Sequence, residues 1–223
     1  AENVFDSVIY YQMLNTPDDE IGTTSTDIVL LKAVEEALNI PYDSVAVAST
    51  GVIGMQLPVD KLVNGVNMMS KTLDGSVEAG TLASKAIMTT DTIPKKVAVE
   101  FALGGKTCRM GGIAKGSGMI HPNMATMLVF ITTDAAISPA MLQKALSSDI
   151  ADTFNMVSVD GDTSTNDMVT VLANGMAGNE TIAEENDDFT AFMQALNTVT
   201  VHLCRMIAGD GEGATKLLEC RVS

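Results

Sequence analysis

The stretch "TMLVFITTD" (126–134) is apolar at every position from Met127 to Ile131 and is closed by Asp134. A run this short, without alternation, predicts a strand covered on both faces rather than a helix. Working outward, Val97, Val99, Phe101 and Leu103 alternate with smaller or polar residues, and Gly104-Gly105 follows, which predicts a β-hairpin. The tract 111–124 between hairpin and strand is glycine-rich and reads as irregular. Beyond the strand, Ser138-Pro139 opens a helix, and "DMVTVLAN" (167–174) is a second apolar strand. In 187–210, Phe189, Phe192, Leu196, Val199, Leu203 and Met206 share one helical face. The closing "KLLECRVS" (216–223) alternates as a strand.

Upstream, the first fifteen residues read as a strand or docked segment, followed by a polar loop over 15–27. Ile28, Leu31, Val34 and Leu38 form a helical stripe stopped by Pro41, and "DSVAVAST" (43–50) reads as a strand ending at Gly51. Two helices are expected over 58–73 and 76–88. Strands and helices mixed in this order predict an α+β fold, a layered α/β sandwich of mixed sheets with flanking helices. No repeat or linker divides it, although Thr126 separates two nearly equal parts, 1–125 and 126–223.

Composition narrows the function. The 13 basic and 28 acidic residues give a net charge of −15, which opposes nucleic acid and anionic membranes. Local exceptions are the lysine-bearing pieces "PKKV" (94–97) and "GKTCRMGGIAKG" (105–116). With 4% aromatic residues, no Trp and 15 Met, the core must be aliphatic and deformable. Cys108, Cys204 and Cys220 form no CxxC pair, so neither a disulfide framework nor a zinc site is expected. Without a bilayer-length apolar segment or a leader pattern at residue 1, a reducing, cytoplasmic setting is the expectation.

Several residues invite chemistry, each beside a plainer role. Thr126 is either the β-branched opening of a buried strand or a nucleophile. The turn at Thr50 and Gly51 is an ordinary chain reversal or a pair of backbone N–H groups able to hold an oxyanion. Lys115, flanked by glycine and lacking the GK[ST] ending of a phosphate loop, is a solvated lysine or a carboxylate binder. Glu212, between glycines, lies in a chain reversal. "SVDGDTSTND" (158–167) suggests a calcium loop, but Thr165 replaces the required glycine and Val171 the terminal Glu. An aspartyl phosphotransferase with Asp160 as nucleophile would need a helix where 168 onward reads as strand, so a hydrogen-bonded acidic turn fits best. His121 and His202 are too few for a metal site.

Taken in order, "STGVIG", "IMTTDT", "GGIAKGSGMIHPNMATML", "VSVDGDTSTND" and "GDGEGATK" resemble the ornithine acetyltransferase family, also called bifunctional glutamate N-acetyltransferase. The likeness covers most of the chain from about residue 28. It implies an aminopeptidase-like layered fold and self-cleavage between Ala125 and Thr126. It further implies a ping-pong transfer of acetyl from N2-acetyl-L-ornithine to L-glutamate through Thr126, with acetyl-CoA an alternative donor in bifunctional members and no bound cofactor. By the same resemblance Thr50 and Gly51 form the oxyanion hole, while Thr89, Lys115, Thr126 and Glu212 contact substrate. The cleaved chains are expected to stay together and pair as an (αβ)2 heterotetramer. Compared with the family pattern the chain reads as shortened at both ends. Rival readings are a related self-processing aminopeptidase or amidase, or an inactive shortened member.

Overall fold

A computed structural model describes residues 7–13, 25–48, 57–121, 124–125, 127–162 and 167–220. By packing, the chain divides into residues 14–80 and a larger unit made of 1–13 with 81–223.

The smaller unit holds helix α1 (Ser25–Leu38), a 3-10 turn at Tyr42–Ser44, helix α2 (Val59–Met69) and the start of helix α3 (Val77–Ala86). α1 packs on α2. The buried row of α1 runs through Leu30 and Ala33, whereas Ile28 and Leu38 of the expected stripe are exposed. A helix buries the face its neighbour covers, and here that row is offset from the most apolar one. The strand expected over 43–50 is not formed in its described part, because a 3-10 turn and irregular backbone occupy 42–48.

The larger unit is built on a five-stranded sheet. Its strands are β1 (Ser7–Met13), β2 (Lys95–Leu103), β3 (Lys106–Lys115), β6 (Leu128–Thr133) and β7 (Asp167–Ala173). Their order is β1-β7-β6-β3-β2, with β6 and β7 parallel and every other pair antiparallel. A ribbon of β4 (Ile120–His121) and β5 (Met124–Ala125) stands beside it. Helices α4 (Pro139–Ala151) and α5 (Asp187–Gly209) pack on each other, α5 against β2 and β3 and α4 beside β1. This is the layered α+β architecture expected from the order of elements.

Local chemistry accounts for these elements. The β2–β3 hairpin turns at Gly104 and Gly105, whose φ values of 53° and 76° suit a residue without a Cβ. Ser138 caps α4 by accepting from the Met141 amide at 3.4 Å, with Pro139 in the first turn. Asn186 caps α5 by accepting from the Phe189 amide at 2.8 Å. Val129, Ile131, Val169 and Val171 are fully buried, and Leu128, Met168 and Thr170 on the alternate face are buried too. The α5 stripe is as expected, except that Ile207 rather than Met206 completes the buried face.

Two further expectations fail. The tract read as irregular from residue 111 is instead the second half of β3, followed by the β4–β5 ribbon. Glycine there serves packing: a Cβ on Gly112 would lie 3.0 Å from Leu203 Cδ1 and 3.1 Å from Val199 Cγ1 of α5. Residues 216–220, the described part of the alternating tail, form no strand.

The close seat of α5 predicts that Gly112→Val destabilises the fold by about 1–3 kcal/mol through overpacking. Gly111→Ala, whose Cβ would meet nothing nearer than Val97 O at 3.7 Å, stays within about 0.5 kcal/mol of the parent. Urea midpoints of the two variants check the contrast.

Candidate functional site

Segment 89–93, between α3 and β2, carries Asp91, and β2 begins at Lys95 opposite Ala114 of β3. Lys95 is completely buried, with its Nζ 2.6 Å from Asp91 Oδ1 and 2.6 Å from Asp210 Oδ2 at the end of α5. Each carboxylate has further donors. Asp91 accepts from the amides of Gly116 at 2.7 Å and Thr89 at 3.2 Å. Asp210 accepts from the amides of Thr92 at 3.0 Å and Ile93 at 3.4 Å, and from the Thr92 hydroxyl. Burial pushes both carboxyl pKa values up, but the Lys95 ammonium and these donors outweigh it and hold both below the usual value.

This knot gathers three of the residues singled out from the sequence. Thr89 lends its amide to Asp91, Lys115 precedes the bonded Gly116, and Glu212 lies two residues past Asp210. The Glu212 amide donates to Ser117 O at 2.6 Å, and the Ser117 hydroxyl is 2.7 Å from that of Thr90. A Cβ on Gly118 would stand 2.7 Å from Glu212 Cδ, so the carboxylate lies directly over that glycine. Lys115 is 4% exposed as a residue, not a solvated lysine, and its Nζ is not among the side-chain atoms buried without a partner, while no ion pair joins it to a described carboxylate. Burial lowers its pKa and Lys95 adds to that, while Asp91, Asp167 and Glu212 draw it back up. A largely enclosed lysine set among carboxylates but bonded to none of them can receive an incoming anion.

Next to Lys115 the chain turns sharply. Met119 has φ of 57°, a left-handed conformation that costs a residue with a side chain about 1–2 kcal/mol. Asp160 holds it there by accepting from the amides of Met119, Ile120 and Asp162. Burial raises the Asp160 pKa, but these three amides outweigh it and leave it low. Asp160 is thus the expected hydrogen-bonded acidic turn, and the strand from Asp167 excludes the strand-loop-helix arrangement of an aspartyl phosphotransferase.

Ala125 lies in β5 opposite Ile120, and the Met127 amide donates to Asp167 Oδ1 at 2.8 Å. The backbone on either side of residue 126 is therefore fixed to β4 and to the start of β7. Thr50, Gly51 and Thr126 lie outside the described residues.

Sequence reasoning missed Asp91, Lys95, Asp167 and Asp210. The "DTIPK" spacing of Asp91 and Lys95 offered a signal: four residues apart across a proline, the pair cannot be a solvated helix-surface pair. Of the other lysine-rich stretch, Arg109 pairs with Glu100 at the surface, 2.8 Å apart. Among the described residues no cluster of three His, Cys, Asp or Glu could hold a metal, and no helix is long and apolar enough to cross a membrane. Cys108 and Cys204 are buried thiols whose pKa burial pushes up, and Cys220 is exposed.

The fold and site define a layered α+β protein with a buried lysine, ringed by carboxylates, at one end of a mixed sheet. The chain belongs to the ArgJ family, which it matches over residues 14–223. It is 53% identical over 188 residues to the Arginine biosynthesis bifunctional protein ArgJ of Listeria monocytogenes, covering 84% of this chain and 46% of that protein. The protein of the same name from Symbiobacterium thermophilum is 53% identical over 193 residues, covering 86% of this chain and 48% of its own length. The chain thus spans about half the length of these relatives. A crystal structure of the Bacillus halodurans argJ protein is 52% identical in sequence, with a TM-score of 0.37 over 40% of this chain and 41% of that one. The family expected from the five motifs is the one found.

The knot also predicts acid sensitivity. A carboxyl whose folded pKa is depressed contributes stability above its ordinary value of 3.8, lost as pH falls through the lower folded value. The urea midpoint falls below about pH 4, and Asp210→Asn, less stable at neutral pH, shows a shallower acid slope than the parent.

Proposed function

We propose that this protein transfers acetyl from N2-acetyl-L-ornithine to L-glutamate through an ester on Thr126, after its chain has been cut between Ala125 and Thr126. The observation that carries the reading is Lys115: a lysine 4% exposed, lying opposite Leu128 where β6 begins, its charge set among Asp91, Asp167 and Glu212 without a hydrogen bond to any of them. Such a group matches the α-carboxylate that donor and acceptor share. Membership of the ArgJ family supports the same reaction.

In the cut, Thr126 Oγ attacks the Ala125 carbonyl carbon, the peptide C–N bond breaks, and the nitrogen takes the hydroxyl proton to become the α-amine of Thr126. Water then opens the ester, leaving the Ala125 carboxylate and a free Thr126 hydroxyl. The new α-amine, with an ordinary pKa near ~8, takes the hydroxyl proton in the next attack, on the acetyl carbonyl. It passes that proton to departing ornithine; the amine of glutamate then attacks the ester carbonyl, the acyl–Oγ bond breaks, and the proton lost by that amine returns through the α-amine to the Thr126 hydroxyl. Backbone N–H groups at Thr50 and Gly51 stabilise the oxyanion of each step. Lys115 holds the α-carboxylate that donor and acceptor share, Glu212 receives the side-chain ammonium of the ornithine skeleton, and Thr89 contacts the substrate. Acetyl-CoA is an alternative donor to the same threonine. The products 1–125 and 126–223 stay associated and pair as an (αβ)2 heterotetramer in the cytoplasm.

Intact-mass measurement and N-terminal sequencing test the cut: the expected new terminus reads "TMLVF". Thr126→Ala stays whole and transfers nothing, and Gly51→Val loses most of both steps. Lys115→Ala is still cut, but its KM for both amino acids rises about 10- to 100-fold, matching ~1.5–3 kcal/mol for a lost charged hydrogen bond. An uncut wild-type chain, or transfer by Thr126→Ala, overturns the proposal. Release of acetate without acceptor would favour the amidase reading.

A further inference from the structure

Lys95 stands in one of the two lysine-bearing stretches, yet it takes part in neither surface charge nor the proposed reaction. It is fully buried, and both of its carboxylate partners are held by backbone amides as well. Through Asp91 it reaches the Gly116 amide, next to Lys115. Through Asp210 it reaches the loop that carries Glu212. Its own strand is fixed in register to β3, Lys95 lying opposite Ala114. The ammonium therefore bridges the element carrying the site's cation to the element carrying its anion.

We propose that Lys95 is a positioning residue of the amino-acid site, setting the separation between the Lys115 ammonium and the Glu212 carboxylate. The inference rests on the acetyl-transfer reading, in which those two groups receive the α-carboxylate and the side-chain ammonium of N2-acetyl-L-ornithine. An apolar side chain could fill the volume of Lys95. It could not draw two carboxylates to 2.6 Å on either side of one nitrogen. With the bridge gone, the like charges of Asp91 and Asp210 repel and the two loops part. The site then keeps all its groups but loses the spacing that lets one amino acid reach both.

The test is a double-mutant cycle on KM and kcat for N2-acetyl-L-ornithine and L-glutamate, using Lys95→Met in the parent and in a Glu212→Ala background. In the parent, Lys95→Met raises the KM for N2-acetyl-L-ornithine about tenfold, more than that for L-glutamate, and changes kcat by less than about threefold. Once Glu212 is absent there is no separation left to set, so the same substitution costs less than about threefold. A role in stability alone predicts equal penalties in the two backgrounds, and that result overturns the inference. An unchanged KM for N2-acetyl-L-ornithine in the folded variant overturns it too. Should Lys95→Met not fold, Asp210→Asn enters the cycle instead, since it keeps an acceptor for Thr92 while removing the charge, and the same outcomes decide. A wild-type protein that transfers nothing overturns the acetyl-transfer reading and the inference with it, whereas an active wild type with additive penalties overturns the inference alone.

Discussion

An ammonium group without water is tolerable only where fixed carboxylates and dipoles replace its hydration shell, and Lys95 imposes that condition on one end of this fold. Removing an ion from water costs several kcal/mol, and a buried pair recovers it only when its remaining lone pairs are also filled. Here they are filled, by the Gly116 and Thr89 amides on Asp91 and by Thr92 and Ile93 on Asp210. None of the segments 89–93, 116 or 210 can drift without exposing a charge to an apolar surround. The placement of Thr89, Lys115 and Glu212 follows from that demand, since each lies within two residues of a group the knot holds.

Features decided by neighbours in sequence could be read from the sequence. The apolar run before Asp134, the alternation ending at Gly104-Gly105 and the Ser138-Pro139 cap each state their own structure, and each is observed. Features decided by distant partners could not. Glycine at 111 and 112 weakens strand propensity, and only the approach of Val199 and Leu203 explains why the strand continues there. The alternating tail, conversely, has strand-like spacing but pairs with no described strand. The site divides in the same way. Lys115 and Glu212 stand out through their glycine neighbours, whereas their convergence depends on Asp91 and Asp210, 119 residues apart in the chain (210 less 91).

The charge of the whole molecule and that of the site point in different directions. A net charge of −15 repels anions at a distance. At the end of the sheet, however, Lys95 spends its charge on two carboxylates, and Lys115 has Asp91, Asp167 and Glu212 within electrostatic range but bonds to none of them. A ligand carrying both signs fits such a place better than a simple anion does, because it can meet the lysine while offering its own cation to Glu212.

The order β1-β7-β6-β3-β2 sets the two strands from beyond residue 126 between strands that come from before it, on both sides. If the backbone is opened at residue 125, neither product owns a complete sheet: one holds its two flanks and the other its centre. Folding as a single chain is unimolecular, but recovering the same sheet from separated pieces is a second-order reaction whose yield depends on concentration. The cut would turn a reversible fold into an assembly that dilution can dismantle. Once so cut, a protein of this topology would carry in its covalent history a stability that the separated pieces could not regain unaided at low concentration.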